Sequence, residues 1–228
     1  MDFRDAFGER RGFADRREAG AFLASRLSAY SGRSDVIVLA LPRGGAPVGY
    51  EVASTLHAPL DVFVVRKLGL PEYPELAMGA LATGGVRILN TDVMTYYRPS
   101  SQAVEAVTRA EQAELERREL EYRGARPPLD VENKVAILVD DGLATGSTMR
   151  AAVEALRRLK PARIVVAAPV GAKDSCESLR RTADEVVCPL TPEPFSAVGL
   201  WYRDFAQTSD DEVRRLLARA AEPASSRG

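Results

Sequence analysis

The chain has 228 residues, of which 46% are hydrophobic, so it is long enough for one well-buried core with a small appendage. Its 31 basic and 32 acidic side chains nearly balance, which argues against a nucleic-acid-binding or membrane-binding surface. No apolar run approaches the roughly 20 residues of a membrane-spanning helix, and the N-terminus lacks the apolar segment of a signal peptide. Cys176 and Cys188 have no metal-ligand spacing, so we expect reduced, structural cysteines in a cytoplasmic protein.

The predicted elements alternate between helices and strands. Asp15 and Glu18 have the spacing of a capping box and open the first helix, and the single histidine, His57, is expected at the end of the second. Continuous apolar runs, such as VIVLA at 36–40, are typical of buried parallel strands. The predicted helices lie at about 14–30, 46–56, 101–122, 149–159 and 174–182, and the strands at about 36–40, 61–65, 87–89, 135–139, 164–168 and 185–190. This order predicts an α/β fold with a doubly wound, mostly parallel sheet.

The most specific motif reads VAILVDDGLATGSTM and covers residues 135–149. A buried strand leads into Asp140 and Asp141, and the short loop 144–148 then opens an amphipathic helix. Open α/β sheets bind ligands at the carboxyl ends of their strands, and a helix N-terminus favours an anion. Because the paired carboxylates can accept hydrogen bonds from a vicinal diol, the motif predicts a site for a phosphorylated ribose.

The segment VDDGLATGST within this motif resembles the signature of the type I phosphoribosyltransferases, which bind 5-phosphoribosyl-1-pyrophosphate (PRPP). Strand, paired acids and phosphate loop match in order and spacing, and the chain has neither a Gly-Lys-Ser/Thr triplet nor a G-x-G-x-x-G motif. The resemblance covers roughly residues 10–205. It is best to a group of bacterial phosphoribosyltransferase-like proteins that carry LPRGG, VVRKLG and VDDGLATG. The resemblance assigns the 5′-phosphate of PRPP to Ala144, Thr145, Gly146, Ser147 and Thr148.

The resemblance also implies how the chain is organised. It predicts a core domain with the PRPP site over residues 10–190 and a hood segment over 191–206, which makes the fold that of a type I phosphoribosyltransferase with a small hood. Residues 68–85 mix proline and glycine with little periodicity, which predicts an irregular, flexible lid loop. Residues 219–228 are expected to form a disordered tail.

Two further motifs correspond to the part of the site that binds pyrophosphate in the family that the chain resembles. The loop LPRGG at 41–45 follows the strand at 36–40, and its glycines allow exposed backbone amides. The segment VVRKLG at 64–69 places a basic pair at a strand end, ahead of the lid loop, although a basic pair read alone is commonly a solvated pair. The resemblance assigns pyrophosphate contacts to Arg43, Gly44, Gly45, Arg66 and Lys67, with a dimer partner as an alternative contact for Arg66.

The remaining candidates act on the ribose, the metal ion and the acceptor. Mg²⁺ is expected to bridge pyrophosphate and ribose oxygens near Asp140 and Asp141, largely through water ligands. Glu72 and Glu75 lie on the lid loop, where either could approach the incoming acceptor. The residues with an expected catalytic role are Asp141, Asp140, Lys67 and Glu75.

The segment FSAVGLWYRDF at 195–205 resembles the carboxy-terminal hood of purine phosphoribosyltransferases, with an offset spacing. The resemblance implies that Phe195, Trp201 or Tyr202 stacks on the acceptor base and that Asp204 is a further acid near the metal. The alternative is that these aromatic side chains belong to the core, which is the commoner place for large apolar groups.

The resemblance implies an enzyme that transfers the phosphoribosyl group of PRPP to a nitrogenous acceptor and releases pyrophosphate. In the 6-oxopurine enzymes an acidic residue occupies the position of Ala144, so this chain is closer to the adenine-type enzymes. A purine-type base is favoured, with a pyrimidine or another amine as alternatives. A non-catalytic PRPP- or nucleotide-sensing regulatory protein of the same fold is the second hypothesis, and a structural subunit that no longer binds PRPP is the third. The family resemblance also suggests a homodimer.

Overall fold

The computed structural model describes residues 12–222, which fold around a five-stranded sheet. Every pair of neighbouring strands in this sheet is parallel. In spatial order the strands are β2 (Leu60–Val62), β1 (Val36–Ala40), β6 (Val135–Val139), β7 (Arg163–Ala167) and β8 (Glu185–Val187). The predicted α/β fold with a mostly parallel sheet is therefore confirmed.

The described residues form helices on both faces of this sheet and one helix against a second, smaller sheet. The helices are α1 (Arg16–Arg26), α2 (Gly45–Leu56), α3 (Thr91–Tyr97), α4 (Ser101–Arg123), α5 (Ser147–Arg158), α6 (Lys173–Leu179) and α7 (Asp210–Ala221). Since successive side chains of a strand point to opposite faces, Val36 and Val38 of β1 pack in the cluster with α1, α2 and α7. Ile37 and Leu39 pack on the other face, in the cluster with α5 and α6. Burial on both faces explains why the central strands read as continuous apolar runs.

The helix ends follow local capping rules. The carboxylate of Asp15 accepts hydrogen bonds from the backbone amides of Arg17 and Glu18 and so begins α1, as the capping-box spacing predicted. The first helix ends earlier than predicted, at Arg26, and a short 3₁₀ turn follows. His57 ends α2 in the left-handed conformation, which confirms the prediction of a helix-terminal residue.

A second, smaller sheet follows β2. It is antiparallel, in the order β3 (Val65–Gly69), β4 (Ala77–Ala82) and β5 (Val86–Leu89). The strand predicted over 61–65 is therefore divided: β2 ends in the large sheet, and the chain enters the small sheet at β3. As a result Arg66 and Lys67 lie within β3, whereas the sequence placed them at the carboxyl end of a strand of the large sheet.

The irregular conformation predicted for residues 68–85 is wrong. This segment contains the end of β3, a turn and the whole of β4. Its apolar residues Leu68, Met78 and Leu81 are buried against Val104 of α4, and this packing orders the segment without any periodic pattern in the sequence. Motion of the segment as a lid stays a prediction.

Helix α7 follows the predicted hood and was not expected from the sequence. Its Val213 and Leu217 are buried in the core cluster beneath α2 and α4. The helix continues to Ala221, so the first residues of the predicted disordered tail, 219–221, are helical. The rest of that tail, 223–228, lies outside the described residues, as do residues 10 and 11 of the predicted core domain. Among residues 12–222, no helix is both long and apolar enough to cross a membrane.

If the segment 68–85 is a packed layer of the fold, Leu68→Ala will lower the free energy of unfolding by about 2–5 kcal/mol, because Leu68 is fully buried. Leu120→Ala on the exposed side of α4 is the matched control and will change it by less than about 0.5 kcal/mol. Denaturant unfolding of both variants measures the difference. Equal effects of the two substitutions would contradict a packed segment.

Candidate functional site

The paired acids lie at the carboxyl end of β6, in the middle of the large sheet. Oδ1 of Asp140 accepts a hydrogen bond from the backbone amide of Asp141 at 2.9 Å. Burial raises the pKa of both carboxyl groups, and the charge of Asp141 raises the pKa of Asp140 further. The nearby Arg16 guanidinium offsets part of this effect at Asp141. Two poorly solvated carboxylates side by side favour a bound cation or hydrogen-bond donors such as hydroxyl groups.

The predicted phosphate loop, residues 144–148, opens α5 as expected. Gly146 precedes the helix in the left-handed conformation, and no side-chain hydrogen bond caps the helix start. The first amides of a helix have no helical acceptor, and α1, α3, α4 and α7 use a side chain to satisfy theirs. The start of α5 is thus suited to bind an anion.

Contacts from the β7–α6 connection fix this loop. The hydroxyl group of Ser175 in α6 donates to the carbonyl of Ala144 at 2.5 Å. The amide of Leu143 donates to the carbonyl of Val170 at 3.0 Å. A cavity of about 160 Å³ lies between the loop, Asp140 and Val198 of the hood, so Asp140 and the predicted phosphate loop border one space.

The LPRGG loop packs directly against the acids. A β-carbon added to Gly44 would overlap the carboxylate of Asp141, and one added to Gly45 would lie 2.6 Å from the carbonyl oxygen of Val139. Glycine is needed here because the two backbone segments approach so closely. Gly44 and Gly45 therefore border the acid pair, and their expected contact with pyrophosphate stays a prediction. The guanidinium of Arg43 lies 3.7 Å from Asp210 at the start of α7.

The basic pair of β3 is divided between the two faces of the small sheet. Nζ of Lys67 donates to the hydroxyl group of Ser147 at 2.7 Å, so this side chain lies at the phosphate loop. Arg66 points to the opposite face and pairs with Glu111 of α4 at 2.6 Å. The expected pyrophosphate contact of Arg66 is therefore wrong, because adjacent residues of a strand face opposite sides. Lys67 lies at the predicted phosphate loop, and its expected pyrophosphate contact stays a prediction.

A larger cleft lies beside the phosphate loop, between the small sheet and α5. Its volume is about 790 Å³, and Lys67, Glu75, Thr145, Ser147 and Arg150 are among the residues that line it. Glu75 thus faces the same cleft as Lys67. The residues that line this cleft do not include Asp140, Asp141 or Glu72. A role for Glu72 or Glu75 toward the acceptor stays a prediction.

The hood segment contacts the acid pair. The phenol of Tyr202 donates to the carbonyl oxygen of Asp141 at 2.5 Å, and its ring is buried against Phe13 and Phe205. Tyr202 is only 7% exposed, so the expected base-stacking role of this residue is wrong: it belongs to the core and supports Asp141. A β-carbon on Gly142 would overlap Val198, which shows how closely the hood covers the loop.

The other hood candidates differ in their surroundings. Phe195 and Trp201 stack with their rings nearly parallel, 9° apart, and both are half-buried, which suits a surface that receives a planar ring. Asp204 is exposed, and its carboxylate accepts the backbone amide of Ala206 at 3.0 Å. Residues 12–222 contain no group of three metal-ligating side chains. The expected role of Asp204 as a further acid near the metal stays a prediction.

Sequence reasoning missed Arg16. Its Nε lies 2.8 Å from Oδ2 of Asp141, and both side chains are largely buried. The contact joins residues 125 positions apart in the chain, and nothing in the local pattern around Arg16 indicates it. The one sequence feature that could have indicated a special role is its position in the first turn of α1, where the helix dipole disfavours a basic side chain.

The fold and the site together define an α/β protein in which two loops suited to anions lie beside a carboxylate pair at the carboxyl edge of a parallel sheet. Comparison with known families agrees, since a phosphoribosyl transferase domain matches residues 15–199. The chain therefore belongs to the phosphoribosyl transferase domain family, and the resemblance inferred from the sequence is confirmed.

Individual relatives support this assignment. A Mycobacterium tuberculosis protein, named "Putative phosphoribosyl transferase", is 49% identical over 208 residues, which are 91% of this chain and 47% of the relative. This chain thus spans about half the length of the curated relatives it matches. The crystal structure of TT1426 from Thermus thermophilus superposes with a TM-score of 0.82 at 40% identity, over 92% of this chain and 100% of that one. A ribose-phosphate pyrophosphokinase of Pyrococcus furiosus is 37% identical over 75 residues, 32% of this chain and 27% of the relative.

Asp140→Asn is expected to raise the free energy of unfolding at pH 7. The pKa of Asp140 is raised in the folded state by burial and by Asp141, so its ionisation opposes folding once the pH exceeds the pKa of the unfolded chain. The gain will shrink as the pH falls toward 4, where the carboxyl group becomes protonated in both states. Denaturant unfolding between pH 4 and pH 8 measures it, with Asp204→Asn as the exposed control. A gain that is independent of pH would contradict this account.

Proposed function

We propose that the protein transfers the 5-phosphoribosyl group of PRPP to a nitrogenous acceptor, with release of pyrophosphate. The supporting observation is that two loops suited to anions, 41–45 and 144–148, border the same carboxylate pair. Gly44 touches Asp141, and Asp140 shares a cavity with the phosphate loop. A ribose with a phosphate at one end and a pyrophosphate at the other matches this order of groups.

Each part of the donor then has a partner. The amides of 144–148 bind the 5′-phosphate, and Lys67 adds a cation from the small sheet, because its ammonium group already contacts Ser147. Asp140 and Asp141 accept hydrogen bonds from the ribose hydroxyl groups. The backbone of 43–45 binds the pyrophosphate, and Arg43 adds positive charge there.

The site suits a magnesium ion that is held mainly by substrate oxygens and water. Residues 12–222 offer two adjacent carboxylates but no group of three metal-ligating side chains, and Mg²⁺ commonly binds through one or two carboxylates plus substrate phosphates. Asp140 and Asp141 would hold it directly or through water. When bound, the ion would neutralise negative charge on the leaving pyrophosphate.

In the proposed reaction a nitrogen atom of the acceptor forms a bond to C1 of the ribose. The bond between C1 and the pyrophosphate oxygen breaks, and its electron pair leaves with pyrophosphate. The acceptor nitrogen loses its proton, which passes to solvent or to the departing pyrophosphate. The carboxylates of Asp140 and Asp141 stabilise the positive charge that develops on the sugar ring, as in glycoside chemistry. The hood limits the access of water, which would otherwise hydrolyse PRPP.

The acceptor is proposed to be a purine-type base. Ala144 provides no acidic group at the phosphate loop, as in the adenine-type enzymes, and the stacked Phe195 and Trp201 offer flat apolar surface to a planar ring. A non-catalytic PRPP- or nucleotide-sensing protein is the second candidate, because it would keep both loops. The family resemblance further predicts a homodimer.

Release of pyrophosphate from PRPP and Mg²⁺, measured with a panel of purine, pyrimidine and amine acceptors, tests the proposal. Turnover with one class of acceptor identifies the enzyme. Binding of PRPP without release for any acceptor would support the sensor. Absence of PRPP binding would contradict both.

Asp141→Asn is expected to lower the turnover rate by a factor of about 10²–10³, since it removes a charge that stabilises the transition state. The fold should be retained, because asparagine has the same shape and can still accept a hydrogen bond from Arg16. Asp130→Asn, on an exposed loop ahead of β6, is the control and should keep full activity. Full activity of Asp141→Asn would refute the assignment.

Lys67→Met is expected to raise the KM for PRPP about tenfold or more, the value of one charge-assisted hydrogen bond. Arg66→Met is the matched control, because this neighbour faces α4 on the opposite side of the sheet. Its KM for PRPP should stay within about twofold of the wild type. A larger effect from Arg66→Met than from Lys67→Met would contradict the placement of the two side chains.

A further inference from the structure

The side chain of Arg16 joins three parts of the protein that are distant in sequence. Its Nε contacts the carboxylate of Asp141 at 2.8 Å, and its Nη1 donates to the carbonyl of Ala206 at 2.7 Å. The guanidinium also lies 3.9 Å from the centre of the Phe205 ring. Helix α1, the acid pair and the end of the hood therefore meet at one cation.

This ion pair differs from those on the protein surface. The side chains of Arg16 and Asp141 are 11% and 14% exposed, whereas that of the adjacent Arg17, which pairs with Glu51, is 76% exposed. Exposed pairs contribute little, but removing one partner of a buried pair leaves the other charge uncompensated. Arg16 therefore compensates the charge of Asp141 and restrains the position of its carboxylate.

The geometry also separates the two oxygens of the Asp141 carboxylate. Oδ2 accepts the hydrogen bond from Arg16. Among residues 12–222, no side chain donates a hydrogen bond to Oδ1 of Asp141, which leaves this oxygen for a ribose hydroxyl group. The phenol of Tyr202 meanwhile holds the backbone carbonyl of the same residue. Together these contacts hold both the carboxylate and the backbone of Asp141.

We propose that Arg16 is a positioning residue of the phosphoribosyl site, which orients Asp141 toward the ribose and ties it to the hood-end segment 202–206. The inference rests on the proposed function. Arg16 acts through Asp141 and need not touch the substrate. A lysine at this position would restore the positive charge but not all three contacts. Its single ammonium group lacks the planar guanidinium that bonds to Asp141 and Ala206 and also stacks on Phe205.

Calorimetric binding of PRPP with Mg²⁺ to the full chain, together with steady-state kinetics, tests this role. Arg16→Met should weaken PRPP binding about tenfold or more, and Arg16→Lys should recover part of the loss. Arg17→Met is the matched control on the neighbouring position and should bind as the wild type does. Circular dichroism and thermal unfolding verify that each variant is folded.

The dependence on Asp141 provides the decisive comparison. In an Asp141→Asn background, Arg16→Met should weaken PRPP binding much less than it does in the wild type, because the group it orients has lost its charge. An equal effect in both backgrounds, or wild-type binding by folded Arg16→Met, would overturn the inference. Failure of the wild type itself to bind PRPP would instead contradict the proposed function, and this inference with it.

Discussion

The candidate site depends on the close approach of two loops that leave adjacent parallel strands. Ala40 at the end of β1 is in register with Val139 at the end of β6, so the loops that follow begin side by side. The amide of Leu41 donates to the carbonyl of Val139 at 2.8 Å and extends the pairing past the strand ends. Gly44 then lies against Asp141 with no room for a β-carbon. The sheet register thus sets the distance between the two predicted anion sites. A glycine at position 44 allows this short distance, because it has no β-carbon to overlap Asp141.

Electrostatics explains which groups surround the two carboxylates, Asp140 and Asp141. Two buried carboxylates with raised pKa values are costly unless positive charge or donors compensate them. Arg16 supplies part of this compensation at Oδ2 of Asp141, and the helix start at 144–148 and Lys67 add positive potential on the phosphate side. In the proposed function the remaining deficit is filled by the substrate and its metal ion, so the protein keeps a destabilising charge pair for ligand binding.

The sequence predicted the features that depend on local patterns. The strand at 135–139, the acid pair and the phosphate loop were correct because burial on both faces produces a continuous apolar run and because loop and helix follow directly. Of the small sheet only the last strand, predicted over 87–89, was found. Strand β4 was missed, since it contains Gly79 and Ala80 and is ordered by packing under α4 rather than by a period of its own. The contacts of Arg16 and Tyr202 with Asp141 span 125 and 61 positions, and no local pattern encodes such a distance.

The two ends of the proposed reaction differ in how strongly the fold constrains them. The donor end is formed by backbone amides, glycines and buried side chains, and a change in any of these disturbs packing as well as binding. The proposed acceptor surface consists of Phe195 and Trp201, which are half-buried, and of neighbours such as Leu200, which is 72% exposed. Exposed positions tolerate substitution with little cost in stability. One scaffold can therefore retain a PRPP site while the acceptor changes, which explains why the sequence indicates the donor firmly and the acceptor only by class.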